Sequence, residues 1–168
     1  MRIRMRIANL PPFRIFVSSP VDGIAKYRAA IMDSALEAIG NGRLEFFFYE
    51  YCQNPALEGK TVCECIFAEA GHNFDAIFVF FKDRVGSGTR EELDYFEKII
   101  IPLNPACQVW WSQIYNKSYP DDVTKFVKHL TTKYNTGLPA IPGKGLNKSA
   151  QRLKGRLTSK LLKVVAGI

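Results

Sequence analysis

The sequence predicts an α/β domain: a doubly wound parallel sheet of four to five strands, followed by a basic amphipathic helix. Two observations predict it. Apolar β-type runs alternate along the chain with apolar stripes at helical spacing, and in one domain that alternation implies parallel strands joined by right-handed crossovers. The run Phe74-Asp-Ala-Ile-Phe-Val-Phe-Phe81 is apolar almost throughout, as a strand covered by helices on both faces must be. With 168 residues, 47% of them hydrophobic, the chain suits one domain with a real core plus an appendage.

The first strand is Arg14-Ile-Phe-Val-Ser18, ended by Ser19-Pro-Val-Asp22. Ser19 as N-cap and Pro20 at the first helical position make a coherent helix start. Behind them Ile24, Tyr27, Ile31, Ala35 and Ala38 form one stripe, which Gly40-Asn-Gly42 breaks. Leu44-Glu-Phe-Phe-Phe-Tyr49 reads as the second strand, Gln53-Asn-Pro as a loop, and residues 61–70 as a short helix. The third strand then runs into the turn Lys82-Asp-Arg-Val-Gly86-Ser-Gly-Thr89, with a helix expected from near Arg90. Leu93, Phe96 and Ile100 are its buried stripe, and Pro102 its terminator. Cys107-Gln-Val-Trp-Trp111 is the fourth strand. Val123, Phe126, Val127 and Leu130 give the inner face of the last core helix, opened by Pro120-Asp-Asp122.

Residues 1–136 are thus expected to form the α/β body, 137–145 a Pro/Gly linker and 146–168 a basic amphipathic helix that docks on the body or opens a further domain. In that helix Leu146, Ala150, Leu153, Leu157, Leu161 and Val164 fall on one face, and Lys148, Arg152, Arg156, Lys160 and Lys163 on another. The flavodoxin-like order 2-1-3-4 is expected, because it sets strand one beside strand three and brings both of their carboxyl ends to one crevice.

Charge divides the chain as well, at a point within the last core helix. The formal net charge is +7, yet residues 1–122 sum to −3, while residues 123–168 hold ten Lys and Arg and no acid. The asymmetry concerns the tail and its partners: an acidic protein, a nucleic acid or an anionic membrane surface. Cys52, Cys63, Cys65 and Cys107 show no CxxC pair or His/Cys ligand spacing, which argues against a metal site or a disulfide framework. The basic N-terminus lacks the apolar run of a signal peptide and no window reaches transmembrane length, so a cytoplasmic protein is expected.

The chemistry-bearing residues gather at two strand ends. Ser18 and Ser19 follow strand one; Asp83, Arg84, Ser87, Gly88 and Thr89 follow strand three. Thr89-Arg-Glu-Glu92 also reads as a capping box, with Thr89 as N-cap and Glu92 reaching back to its N–H. Helical geometry singles out Glu92, which borders the Leu93, Phe96, Ile100 stripe, whereas Glu91 points away. Gly86 and Gly88 either supply turn conformations of positive φ or let a ligand approach the backbone. Asp83 could bond a ribose or simply form a turn. His72 and His129 have no catalytic partner in sight.

The segments Arg14-Ile-Phe-Val-Ser-Ser-Pro-Val-Asp22, Tyr27-Arg28, Phe74-Asp-Ala-Ile-Phe-Val-Phe-Phe81 and Arg84-Val-Gly-Ser-Gly-Thr-Arg-Glu-Glu-Leu93 resemble the TIR-like and nucleoside 2-deoxyribosyltransferase-like superfamily. The likeness is greatest to bacterial TIR-like domains with FVSSP and GSGT-x-E-E motifs, and it covers roughly residues 13–135. It implies a flavodoxin-like fold and cleavage of the N-glycosidic bond of NAD or a nucleoside, with bacterial defence as a setting. Glu92 takes the place of the family glutamate, as nucleophile or oxocarbenium stabiliser. Ser18, Ser19, Asp83, Arg84, Ser87, Gly88 and Thr89 would hold a nucleotide that is substrate and not cofactor. A non-catalytic signalling module with homotypic assembly, a deoxyribosyltransferase, and an adaptor working through the tail are the alternatives. The Trp110-Trp111 pair matches no signature of the family, and the extra base-holding polar residues of deoxyribosyltransferases have no counterpart here.

Overall fold

In a computed structural model of the chain, the structure describes residues 11–20, 26–30, 32–33, 44–48, 59–114, 120–134, 137–141 and 146–166. Five strands form one sheet: β1 (Phe13–Ser18), β2 (Leu44–Phe48), β3 (Ala76–Phe81), β4 (Gln108–Ile114) and β5 (Gly137–Ile141). Their order is β2-β1-β3-β4-β5, with every pairing parallel. This is the flavodoxin-like arrangement, with the topological switch between β1 and β3 where the sequence placed it. The register sets Ser18 beside Val79 and Val79 beside Trp111, so the carboxyl ends of the three central strands lie together.

The helices are α1 (residues 26–30 and 32–33), α2 (Val62–Ala70), α3 (Ser87–Tyr95), α4 (Asp121–Lys133) and α5 (Leu146–Ala166). Two layers of core result. On one face Ile15, Val17, Phe78, Phe80 and Trp110 of the sheet pack with Tyr27 of α1 and Leu153, Leu157 and Leu161 of α5. On the other face Phe16, Ile77, Val79, Phe81 and Val109 meet Phe67 of α2, Leu93 of α3 and Val123, Phe126 and Leu130 of α4. Strand alternation decides which side chain goes to which layer. Fully burying side chains of this size stabilises by about 1.5–3 kcal/mol each, so both faces of β3 are needed for the fold.

Three expectations change. Residues 137–145 are not a linker throughout: residues 137–141 are β5, an edge strand paired with β4 across an irregular register between Ser112 and Ile114. A proline at 139 is tolerated there because an edge strand can leave one backbone position unpaired; residues 142–145 lie outside the described set. Second, α3 begins at Ser87 with Gly86 as N-cap, three residues before the expected start. Third, α3 does not stop short of Pro102. It continues through a π-helical turn (Phe96–Ile100) into a last turn (Ile101–Leu103). The Ile101 N–H bonds Phe96 O, a wider ring than an α-helix makes, so the ladder has changed register before the residue that cannot donate.

The segment expected as a short helix after the second strand is α2, opened by a capping box in which Thr61 and Glu64 bond each other's backbone N–H groups. Ser19 and Pro20 are not helical, and residues 21–25, 34–43 and 49–58 lie outside the described set. Cys63, Cys65 and Cys107 are buried and form no disulfide, and Cys52 is outside the described residues. Among the described residues no group of His, Cys, Asp and Glu could hold a metal ion, and no helix is long and apolar enough to cross a membrane.

Candidate functional site

Ser18 is the last residue of β1, and its side chain shares the face of Phe16, toward α2 and α3. It is fully buried. Glu92 lies one and a half turns into α3, beside Leu93 on the inner face, and is only 8% exposed. The Ser18 hydroxyl donates to Glu92 Oε2. The carboxylate therefore does not reach back to Thr89, and the capping-box reading fails: Gly86 is the N-cap, and Thr89 is the third helical residue and buried.

Burial pushes the Glu92 carboxyl up to about 7. The hydroxyl of Ser18 and the positive charge of Arg28 act against that rise, and Glu91 adds to it. A buried carboxyl poised near neutrality in a cleft is the pattern that acid–base and nucleophilic sites share.

Glu92 borders a cavity of about 370 Å³ at the carboxyl ends of β1 and β3. One wall is apolar, made by Val17, Pro20 and Val62; the other is the start of α3, from Gly86 to Thr89, with Arg28 and Arg84. The first backbone bond of α3 runs from Arg90 N–H to Gly86 O at 3.2 Å. The N–H groups of Ser87, Gly88 and Thr89 precede it and so have no partner within the helix. A helix start of this kind favours an anion. Neither Gly86 nor Gly88 has positive φ, and a Cβ at either would meet nothing within 4 Å. The two glycines therefore contribute open space beside the helix start, and the expected unusual backbone is absent.

Ser19 also lines the cavity, and its buried hydroxyl has no hydrogen-bond partner. Its side chain thus makes no capping hydrogen bond; where the helix expected after Ser19-Pro20 begins lies outside the described residues. An orphaned buried hydroxyl on a cavity wall is one that a ligand can satisfy.

Of the residues expected at the site, the structure brings together Ser18, Ser19, Arg84, Ser87, Gly88, Thr89 and Glu92. Asp83 stands exposed on the turn after β3, off the cavity wall. His72, exposed in a loop, bonds Tyr95; His129, exposed on α4, bonds Glu97. Arg28 and Val62 were not picked out as site residues. Arg28 follows the core residue Tyr27 by one helical step, so a swing of about 100° from the buried stripe pointed to it once α1 was laid against β1. Val62 carries no sequence signal of its own.

No family model and no curated protein matches the chain. Among solved structures, the chain is similar to rubredoxin oxygen:oxidoreductase from the anaerobe Desulfovibrio gigas, with a TM-score of 0.51 and 12% identity. The match covers 99% of this chain and 39% of that one. Identity this low carries the architecture alone, and it agrees with the flavodoxin-like strand order.

Proposed function

We propose that the chain cleaves the N-glycosidic bond of NAD or a related nucleotide, with Glu92 as the carboxylate that meets C1′. The observation that carries this reading is the buried Glu92 carboxyl, held by Ser18 on the wall of a cavity at the β1/β3 switch point. Cleavage of a ribosyl–base bond places positive charge on C1′, and an ionised Glu92 either stabilises that charge or bonds to the carbon. The electrons of the C1′–N bond leave with the base. Nicotinamide departs from a cationic nitrogen as a neutral molecule, so no protonating group is needed on it. Water then supplies the new oxygen bond to C1′ and releases its proton to solvent.

The remaining groups suit the rest of such a substrate. Arg28, Arg84 and the start of α3 favour phosphate oxygens, the Ser19 hydroxyl lacks a partner, and Val17, Pro20 and Val62 offer an apolar surface to a base. The volume lies within the range of small-molecule sites.

The test is nicotinamide release from NAD by the purified chain and by Glu92→Gln. Turnover by the wild type, reduced roughly a thousandfold or more in the variant, is the expected result. Equal turnover by both proteins removes Glu92 from the mechanism. If the wild type cleaves neither NAD nor nucleoside phosphates, the glycosidic reading is overturned in favour of a binding module.

A further inference from the structure

α5 carries six bases and no acid over Leu146–Ala166, and the structure settles where its apolar face goes. Leu153, Leu157 and Leu161 are fully buried against Ile15, Val17, Phe78, Phe80 and Trp110 of the sheet. A helix so occupied cannot lay those leucines in a bilayer, and among the described residues Leu162 is the one large apolar side chain that α5 exposes. Among the described residues, α5 still presents Arg152 and Lys163 to the outside, beside the polar Gln151 and Ser159.

That charge is ordered. At about 100° per residue, Arg152, Arg156, Lys160 and Lys163 fall within an arc of about 80°, beside the leucine stripe, and run along about 16 Å of helix. Arg152 and Lys163 are exposed, and Lys160 is half-buried. The Lys160 ammonium sits 4.9 Å above the ring of Trp110, which steadies its stem. Arg152, Lys160 and Lys163 take part in no ion pair among the described residues. Burial, and then the like charge of Lys163, make Lys160 easier to deprotonate than an ordinary lysine. A line of cations, three of them without an ion pair among the described residues, on a helix packed against the sheet is complementary to a polymer with regularly spaced negative charges.

We propose that the outward face of α5 binds the phosphate backbone of a double-stranded nucleic acid without reading its sequence, through Arg152, Lys160 and Lys163. The inference is independent of the chemistry assigned to Glu92. A stretch of about 16 Å spans roughly five phosphates of one strand at 3.4 Å each, so three or so contacts fit on α5.

Fluorescence anisotropy of the full chain with a labelled DNA duplex tests it. Neutralising three phosphates gives a slope of log K against log salt of about −3, or a loss of roughly fiftyfold between 50 and 200 mM salt. Arg152→Gln/Lys163→Gln should bind roughly tenfold more weakly at the lower salt, with a flatter slope and unchanged thermal melting. Duplexes of scrambled sequence should bind equally. Absence of binding at the lower salt, binding that ignores salt, or a double variant that binds as the wild type does would each overturn the proposal. So would tighter binding to phosphatidylserine vesicles than to the duplex, which would assign the surface to membranes instead.

Discussion

Glu92 shows how a single side chain can be placed at the expense of stability. Its folded-state pKa, about 7, lies above the ordinary value of 4.5 because burial disfavours the charged form. A carboxyl raised in this way contributes stability that is fully present below pH 4.5 and lost as pH rises through 7. The loss amounts to up to about 3 kcal/mol. Thermal melting should therefore fall between pH 5 and 8 in the wild type. Glu92→Gln should lose most of that dependence and melt above the wild type at pH 8, since a neutral amide is not penalised and its oxygen can still accept from Ser18. A variant that melts below the wild type at pH 8 would show that the charged carboxylate is favoured where it sits. Ser18 acts in the opposite direction to burial, because its hydroxyl favours the ionised form. If cleavage needs the carboxylate, activity rises through pH 7 in the wild type, and Ser18→Ala moves that rise to higher pH. A pH–rate profile of the two proteins measures it, and a shift to lower pH would contradict the assigned hydrogen bond.

Among the elements, α5 closes one face of the sheet with Leu153, Leu157 and Leu161. Leu157 is fully buried where the helix crosses the sheet, and Leu157→Ala should destabilise the chain by about 2–5 kcal/mol, read from denaturant unfolding. A value below about 1 kcal/mol would mean that α5 is only loosely seated. The first four strands were legible because their apolar runs are bounded by breakers and separated by helical stripes. β5 was not, since Gly137-Leu-Pro-Ala-Ile141 carries the residues of a linker and becomes a strand only by pairing with β4. The start of α3 was misplaced for a related reason: Thr89-x-x-Glu92 satisfies a local rule, and the tertiary bond from Ser18 overrides it. The site was half visible. Glu92 followed from helix geometry, whereas Arg28 and Val62 enter the cavity through the packing of α1 and α2, which no short window encodes.

At the scale of the whole molecule, the sheet has two covered faces, and the helix Leu146–Ala166 belongs to one of them. Of the readings expected for the basic tail, docking on the body is the one the structure shows: the C-terminal helix is the outer layer of the same core. Ending the chain at residue 145 would uncover Ile15, Val17, Phe78, Phe80 and Trp110, all at most 2% exposed in the full chain. A contiguous apolar surface of that kind is not tolerated by a soluble monomer. The shortened chain should therefore bind a hydrophobic dye, lose its near-ultraviolet circular dichroism while keeping far-ultraviolet signal, and aggregate, as a collapsed state without fixed packing does. It should also lose any turnover at Glu92, because Val17 belongs to both the exposed layer and the cavity wall. A shortened chain that stays monomeric, melts cooperatively and retains turnover would instead make α5 a separable module, and the two-layer account of the core would have to be given up.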